Sequence, residues 1–208
     1  MSMYKVIHGA VRRDLDRFPR ALDGFTDGDR ERAAALHRAW TNFDVQLTEH
    51  HEGEHEIAWP ALRTIGVEES VIASFDAEHE QMAADLAASR EAMERFRRTA
   101  TRADADLAVA AIQELRTTTA THLDHEEQET ESVFARHEGD PALKAMAKKF
   151  SRRMGIAGAG VFFAWLQDGA TAEEKSALAS NIPRPVLAVI GGVFGRRYRT
   201  DVAPAWSS

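Results

Sequence analysis

Six residues of this chain have the chemistry and the spacing of metal ligands: His8 alone, His50 with Glu54 four residues on, His79 alone, and His122 with Glu126 four residues on. At i and i+4 of a helix an imidazole and a carboxylate point the same way, offset by roughly 40° for a turn of ~3.6 residues. Each pair can therefore present one nitrogen and one oxygen to a common centre. Such mixed N/O sets suit iron, manganese or zinc. The chain has no Cys, which removes thiolate ligands, disulfides and iron–sulfur clusters from consideration.

All six residues lie on the apolar seams of four helical segments. The seams read Tyr4, His8, Val11, Leu15, Phe18, Leu22, Phe25; then Leu36, Trp40, Phe43, Leu47, His50, Glu54, Ile57; then Ile72, Phe75, His79, Met82, Leu86, Ser89, Met93, Phe96; then Ala108, Ile112, Leu115, Thr119, His122, Glu126 and, two turns on, Val133. Steps of three and four keep these residues on one inward helix face. Imidazole and carboxylate are costly to bury without a partner, and a pair of metal ions is a partner that serves all of them.

The positions of the turns test this register. The midpoint between His8 and His50 falls at Asp27-Gly28-Asp29, that between His50 and His79 at Thr64-Ile65-Gly66, and that between His79 and His122 at Thr99-Ala100-Thr101. Gly, Asp and Thr are turn and N-cap residues, so each midpoint reads as a helix connection. In an up-down-up-down antiparallel four-helix bundle, residues equidistant from a turn lie at the same height. The four His then form one layer, and Tyr4, Glu54, Phe75 and Glu126 form a second layer one turn away. The fold class expected is all-α, a four-helix bundle over residues 1–139 with additional C-terminal helices over 140–208. The pattern also nearly repeats, with His79 at 71 residues from His8 and His122 at 72 from His50. Each helical hairpin thus supplies a lone His and a His-x-x-x-Glu. This suggests two metals with the two Glu able to bridge them.

Two other sites compete. His51-Glu52-Gly53-Glu54-His55 matches the zinc-hydrolase pattern H-E-x-x-H. His51 and His55 sit one position off the seam that carries His50 and Glu54, and no stretch of the chain reads as the strands that usually flank such a helix. By this register His51, His55, Glu52, Glu56 and His125 flank the site and are placed to hydrogen-bond the ligands from outside. A ferritin-like carboxylate site needs Glu-x-x-His on two helices. Here that spacing occurs once, from Glu52 to His55.

The order His … His-x-x-x-Glu … His … His-x-x-x-Glu, over about residues 1–137, resembles the hemerythrin-like (HHE cation-binding) family. The stretch from His50 to Pro60, closing on Trp59-Pro60, is similar to that family's second helix. The resemblance implies two iron ions in an oxo- or hydroxo-bridged centre that handles dioxygen, peroxide or nitric oxide. His79 and His122 would serve one iron, and His8 and His50 the other. Oxygen-carrying members have His-x-x-x-His in the third helix, where this chain has Phe75, and their last carboxylate comes five residues after its His rather than four. One imidazole fewer leaves an open position, which favours chemistry on a small molecule over reversible carriage. Catalase-like turnover, nitric oxide processing and an iron-dependent oxygen or redox sensor without turnover all remain open on this reading. Tyr4, one turn from His8, could ligate iron, hydrogen-bond an oxygen species, or simply meet a buried carboxylate. Phe75 reads as an apolar pocket wall.

The 208 residues carry a net charge of −7, which divides into −12 over residues 1–139 and +5 over 140–208. An acidic bundle argues against nucleic acid as a partner. Lys5, Arg12, Arg13 and Asp14 interrupt any secretory apolar region, and the longest uncharged stretch, 154–167, is too short to span a bilayer, so a cytoplasmic location is expected. Beyond Gly139-Asp140-Pro141 lie a basic amphipathic stretch, a short helix from Thr171 to near Asn181, and an apolar segment from Pro185 to Phe194. These read as helices packed on the bundle or at a subunit contact in a homo-oligomer, with membrane contact the alternative. Since the bundle holds all six ligands, the tail reads as accessory.

Overall fold

The computed structural model describes residues 1–182, 187 and 189–207. The four seams become four long helical runs. Helix α1 (Met3–Asp23) starts where the Ser2 side chain accepts from the Lys5 N–H. Helix α2 (Arg30–Gly53) is capped by Asp29. It continues through a π-helical turn (Glu54–Ala58) into the short helix α3 (Trp59–Thr64). Helices α4 (Glu69–Thr99) and α5 (Arg102–Arg136) complete the bundle. The connections fall at or beside the expected midpoints. Gly28 (φ 84°) and Gly66 (φ 90°) take the left-handed conformation that a side chain would strain. The third connection is tighter: Ala100 adopts φ 52° and ends α4, and Thr101 immediately caps α5.

The π turn has a local cause. Pro60 has no N–H, and its ring would clash with the carbonyl four residues back in a regular helix. The backbone widens just before it, so that the Trp59 N–H reaches Glu54 O, five residues back. Helix α2 faces α1 and α4, and α5 faces α1 and α4, which gives the up-down-up-down ring. Below the histidine layer the core is mostly apolar. Phe18 meets Trp40 and Phe43 edge-on with ring centroids 5.5 and 5.8 Å away, and Leu36, Leu47, Met82, Leu115 and Ile112 are buried around them. Each such side chain contributes about 1.5–3 kcal/mol on leaving water.

The C-terminal segment forms α6 (Pro141–Gln167), with Gly155 off the helical path, and α7 (Ala172–Asn181), which begins at a capping box of Thr171 and Glu174. The short helix expected from Thr171 to near Asn181 is therefore present. Of the expected apolar segment, Pro185, Val186 and Ala188 lie outside the described residues. Trp165, Leu166, Leu178 and Tyr198 join the same hydrophobic core as the bundle, and Trp165 Nε1 donates to buried Asp14 at 2.7 Å. Among the described residues, no helix is long and apolar enough to cross a membrane.

Candidate metal centre

The side chains expected in the two layers meet in the bundle interior. His8 Nε2 lies 3.4 Å from Glu126 Oε2, and His122 Nε2 lies 3.7 Å from the same oxygen. Glu54 stands between the other rings, with Oε1 3.1 Å from His50 Nε2 and Oε2 3.5 Å from His79 Nε2. His79 and His122 bring their Nε2 atoms to 3.0 Å. Two groups result, each with its donor atoms within 4.8 Å of one another: His8, His50, Glu54 and Glu126, and His51, Glu54, His79 and His122. Glu54 belongs to both.

The second group contains a residue that the seam placed outside. His51 is not a flanking residue: its ring stacks on His79 at 4.3 Å and meets His122 edge-on at 6.0 Å. Adjacent helix residues diverge by roughly 100°, so a helix whose inward direction falls between them can send one ring to each side. His50 turns towards His8, with ring centroids 5.2 Å apart, while His51 turns towards α4 and α5. The H-E-x-x-H constellation does not form. His55 is largely exposed beside Asp76, and Glu52 faces outward to Arg153. His55 lies within the π turn, whose extra residue per turn rotates it away from His51.

Carboxylates that the seams did not flag fix two of the rings from behind. His8 Nδ1 bonds Glu127 at 2.9 Å, and His122 Nδ1 bonds Glu78 at 2.8 Å. A proton held on Nδ1 leaves the Nε2 lone pair facing inward. Glu78 and Glu127 each follow or precede a seam residue by one position, and each crosses to the histidine of a neighbouring helix. That adjacency is the signal in the sequence that could have found them. His125, expected to bond the ligands from outside, bonds the second oxygen of Glu78 at 2.7 Å and so shares the carboxylate that holds His122. Tyr4 donates its hydroxyl to Glu54 Oε1. Phe75 is fully buried, packs on Trp59 at 5.3 Å and meets His122 edge-on at 6.2 Å.

Electrostatics make this cluster a poor structure on its own. Burial pushes the Glu54 and Glu126 carboxyls well above the usual carboxylate range, with Glu127 adding to the push on Glu126. Burial and the neighbouring rings hold His50 and His51 well below the usual histidine range, and they lower His79 to about 3. His8 and His122 are lowered by burial as well, against the pull of Glu127 and Glu78. Each ring is thus pushed towards its neutral form, in which one nitrogen keeps a lone pair for a metal. Buried atoms without a hydrogen-bond partner include Nε2 of His8, His50 and His51, Oε2 of Glu54 and both oxygens of Glu126. Burying so many unsatisfied groups together is expensive. A cation among them would satisfy all of these atoms at once and return the carboxyls to their ionised form. The Nε2 atoms of His79 and His122, 3.0 Å apart, are close enough to be shared by one ion. The residues present fit a metal.

The C-terminal helix reaches this site. Phe150 of α6 packs on Gly53, where a Cβ would come within 2.6 Å of its ring. Arg153 pairs with Glu49 at 3.0 Å, with Glu52 at 2.6 Å and with Glu56 along the outer face of α2. These contacts bracket the π turn that carries Glu54. The tail thus packs on the bundle beside the turn that carries Glu54.

A family model described as the hemerythrin HHE cation binding domain matches residues 2–134. A search of the curated proteins and one of the solved structures find no match. The matched span covers α1 to α5 except for the last residues of α5, and therefore every inward-facing histidine and glutamate described above. With more than half its length in that match, and with the cation-binding donors gathered at the centre of the bundle, the chain belongs to the hemerythrin HHE cation-binding family.

Proposed function

We propose that the chain is a non-haem di-iron protein that binds and reacts with peroxide, dioxygen or nitric oxide. The observation that supports this reading best is the pair of donor groups meeting at Glu54. His8 and His50 would hold one iron and His51, His79 and His122 the other, with Glu54 and Glu126 supplying the carboxylate oxygens. His51 then supplies the nitrogen that Phe75 does not.

When bound, the iron pair supplies redox and Lewis-acid chemistry to a small oxygen- or nitrogen-containing molecule. The protein's part is to orient and to protect. Glu127 and Glu78 hold the protons of His8 and His122 on Nδ1 and so fix ring direction. Phe75 and Trp59 pack their apolar rings against His122 and His79 and so cover that side of the cluster. Tyr4 holds a hydroxyl proton against Glu54 Oε1 and can pass it to that oxygen or retain it. The sensor reading has its own support in the contact of α6 with the ligand-bearing turn, which would let a change at Glu54 reach the tail.

Metal analysis with an ultraviolet-visible spectrum tests the proposal. Two irons per chain with the near-ultraviolet absorption of a coupled ferric pair are expected, together with spectral change and consumption when hydrogen peroxide is added. A single zinc per chain would end the reading. Iron loading without peroxide consumption, and without any spectral response to nitric oxide, would leave the sensor.

A further inference from the structure

Helix α5 carries threonines at 117, 118, 119, 121 and 130. Four of them return their hydroxyl to the helix: Thr117 donates to Gln113 O, Thr118 to Leu115 O and Glu114 O, Thr121 to Thr117 O, and Thr130 to Glu126 O. This back-bonding is the ordinary way for a helical hydroxyl to avoid being orphaned. Thr119 does not do it. Its side chain is fully buried, and its Oγ1 has no hydrogen-bond partner among the described residues.

Its place in the bundle matters. Thr119 lies one turn from His122, on the side of the histidine layer away from Glu54 and Glu126. The residues at that height on the other helices are Val11, Leu47 and Met82, each one turn from its own histidine and each buried. The carboxylates close one side of the histidine layer. The other side is closed by three apolar side chains and one unpartnered hydroxyl. Of the four side chains Val11, Leu47, Met82 and Thr119 at this height, Thr119 alone carries a hydrogen-bond donor. A buried hydroxyl left unpaired is unfavourable in the resting protein, and it becomes favourable only when an acceptor arrives.

We infer that Thr119 is the hydrogen-bond donor to the small anionic or oxygen-rich molecule held by the metal pair, and so decides which such molecules are retained. The inference rests on the di-iron reading above. It predicts that molecules with a lone pair directed towards α5 bind better than equally sized molecules without one.

The test uses the full, iron-loaded chain with azide as the probe, comparing the natural protein with Thr119→Val and Thr119→Ser. Removing one hydrogen bond to a charged acceptor should weaken azide binding by about tenfold or more in Thr119→Val. Iron content should not change, and Thr119→Ser should restore most of the affinity. The azide stretching frequency should shift on exchange into D2O in the natural protein and not in Thr119→Val. The metal-free Thr119→Val protein should melt at the same temperature as the natural one or higher, because an orphaned hydroxyl has gone. A merely structural hydroxyl would give the opposite: lower melting and unchanged azide affinity. Full iron content with equal azide affinity in all three proteins would overturn the role of Thr119 alone. Failure of the natural chain to hold iron would overturn the di-iron reading, and this inference with it.

Discussion

The two halves of the centre differ in how many nitrogens they gather and how they meet the surface. One half has His8 and His50, with side chains 0% and 7% exposed, and Tyr4 above them. The other has His51, His79 and His122, with His79 12% exposed, stacked against Trp59 and leading out to Asp76 and His55. Helix α2 serves both, through two adjacent residues that diverge around its inward direction and one carboxylate that both halves share. A helix can thus feed two ligand groups without any repeat of its own motif, provided its phase places the boundary between neighbouring side chains on the bundle axis.

The largest expected effect comes from removing what the halves have in common. Glu54→Ala should take metal content from two per chain to near none, since its oxygens face both His50 and His79. Retention of one tightly held metal would show that the carboxylate belongs to a single half. Next come the neighbours on α2. His50→Ala and His51→Ala should each lower metal content, by comparable amounts and with different spectra, because each strips a different half. Metal analysis of the two variants checks this. Full metal content in His51→Ala, with an unchanged spectrum, would reduce its ring to a stacking partner of His79.

The seams made the bundle, its turns and the meeting of His8, His50, Glu54, His79, His122 and Glu126 legible in the sequence, because apolar periodicity and ligand height follow directly from helix geometry. His51 was hidden by the same rule, since a seam read in steps of three and four assigns one inward residue per turn and cannot show two. The π turn was hidden because Pro60 signals a disturbance without saying whether the helix ends, kinks or widens. Glu78 and Glu127 were obscured by abundance: an acidic bundle offers many carboxylates, and only the three-dimensional placement shows which reach a histidine. The contact of Phe150 with Gly53 joins segments almost a hundred residues apart and has no periodic signature.

That contact gives a third, smaller effect. Phe150→Ala should destabilise the protein by roughly 1–3 kcal/mol, below the ~3–5 kcal/mol of a fully buried Phe, because this ring is only partly buried. It should weaken metal retention several-fold through the π turn, with the stoichiometry unchanged. Arg153→Ala should do less, since its ion pairs with Glu49, Glu52 and Glu56 are largely exposed. Chelator competition measures both. A Phe150→Ala protein that loses stability but holds metal as tightly as before would separate the tail from the centre, and would weaken the sensor reading as well.

The smallest effect distinguishes the halves by pH. Burial raises the Glu127 carboxyl, but the hydrogen bonds from His8 and Arg12 outweigh this and hold it at about 2. A carboxyl depressed by folding adds stability that is fully present above its ordinary value of 4.5 and fades as the pH falls towards about 2. Glu127→Gln should therefore melt about 1–3 °C below the natural protein at neutral pH, a small shift because the carboxylate is partly exposed and screened. The gap should narrow as the pH falls below 4.5 and close near 2. Measured on the metal-free chain, this isolates the ion pair from any effect of the metal. A gap that stays constant across that range would mean Glu127 acts by shape alone. The His8 ring would then be oriented by packing against Tyr4, whose ring lies 4.4 Å away, and not by its carboxylate.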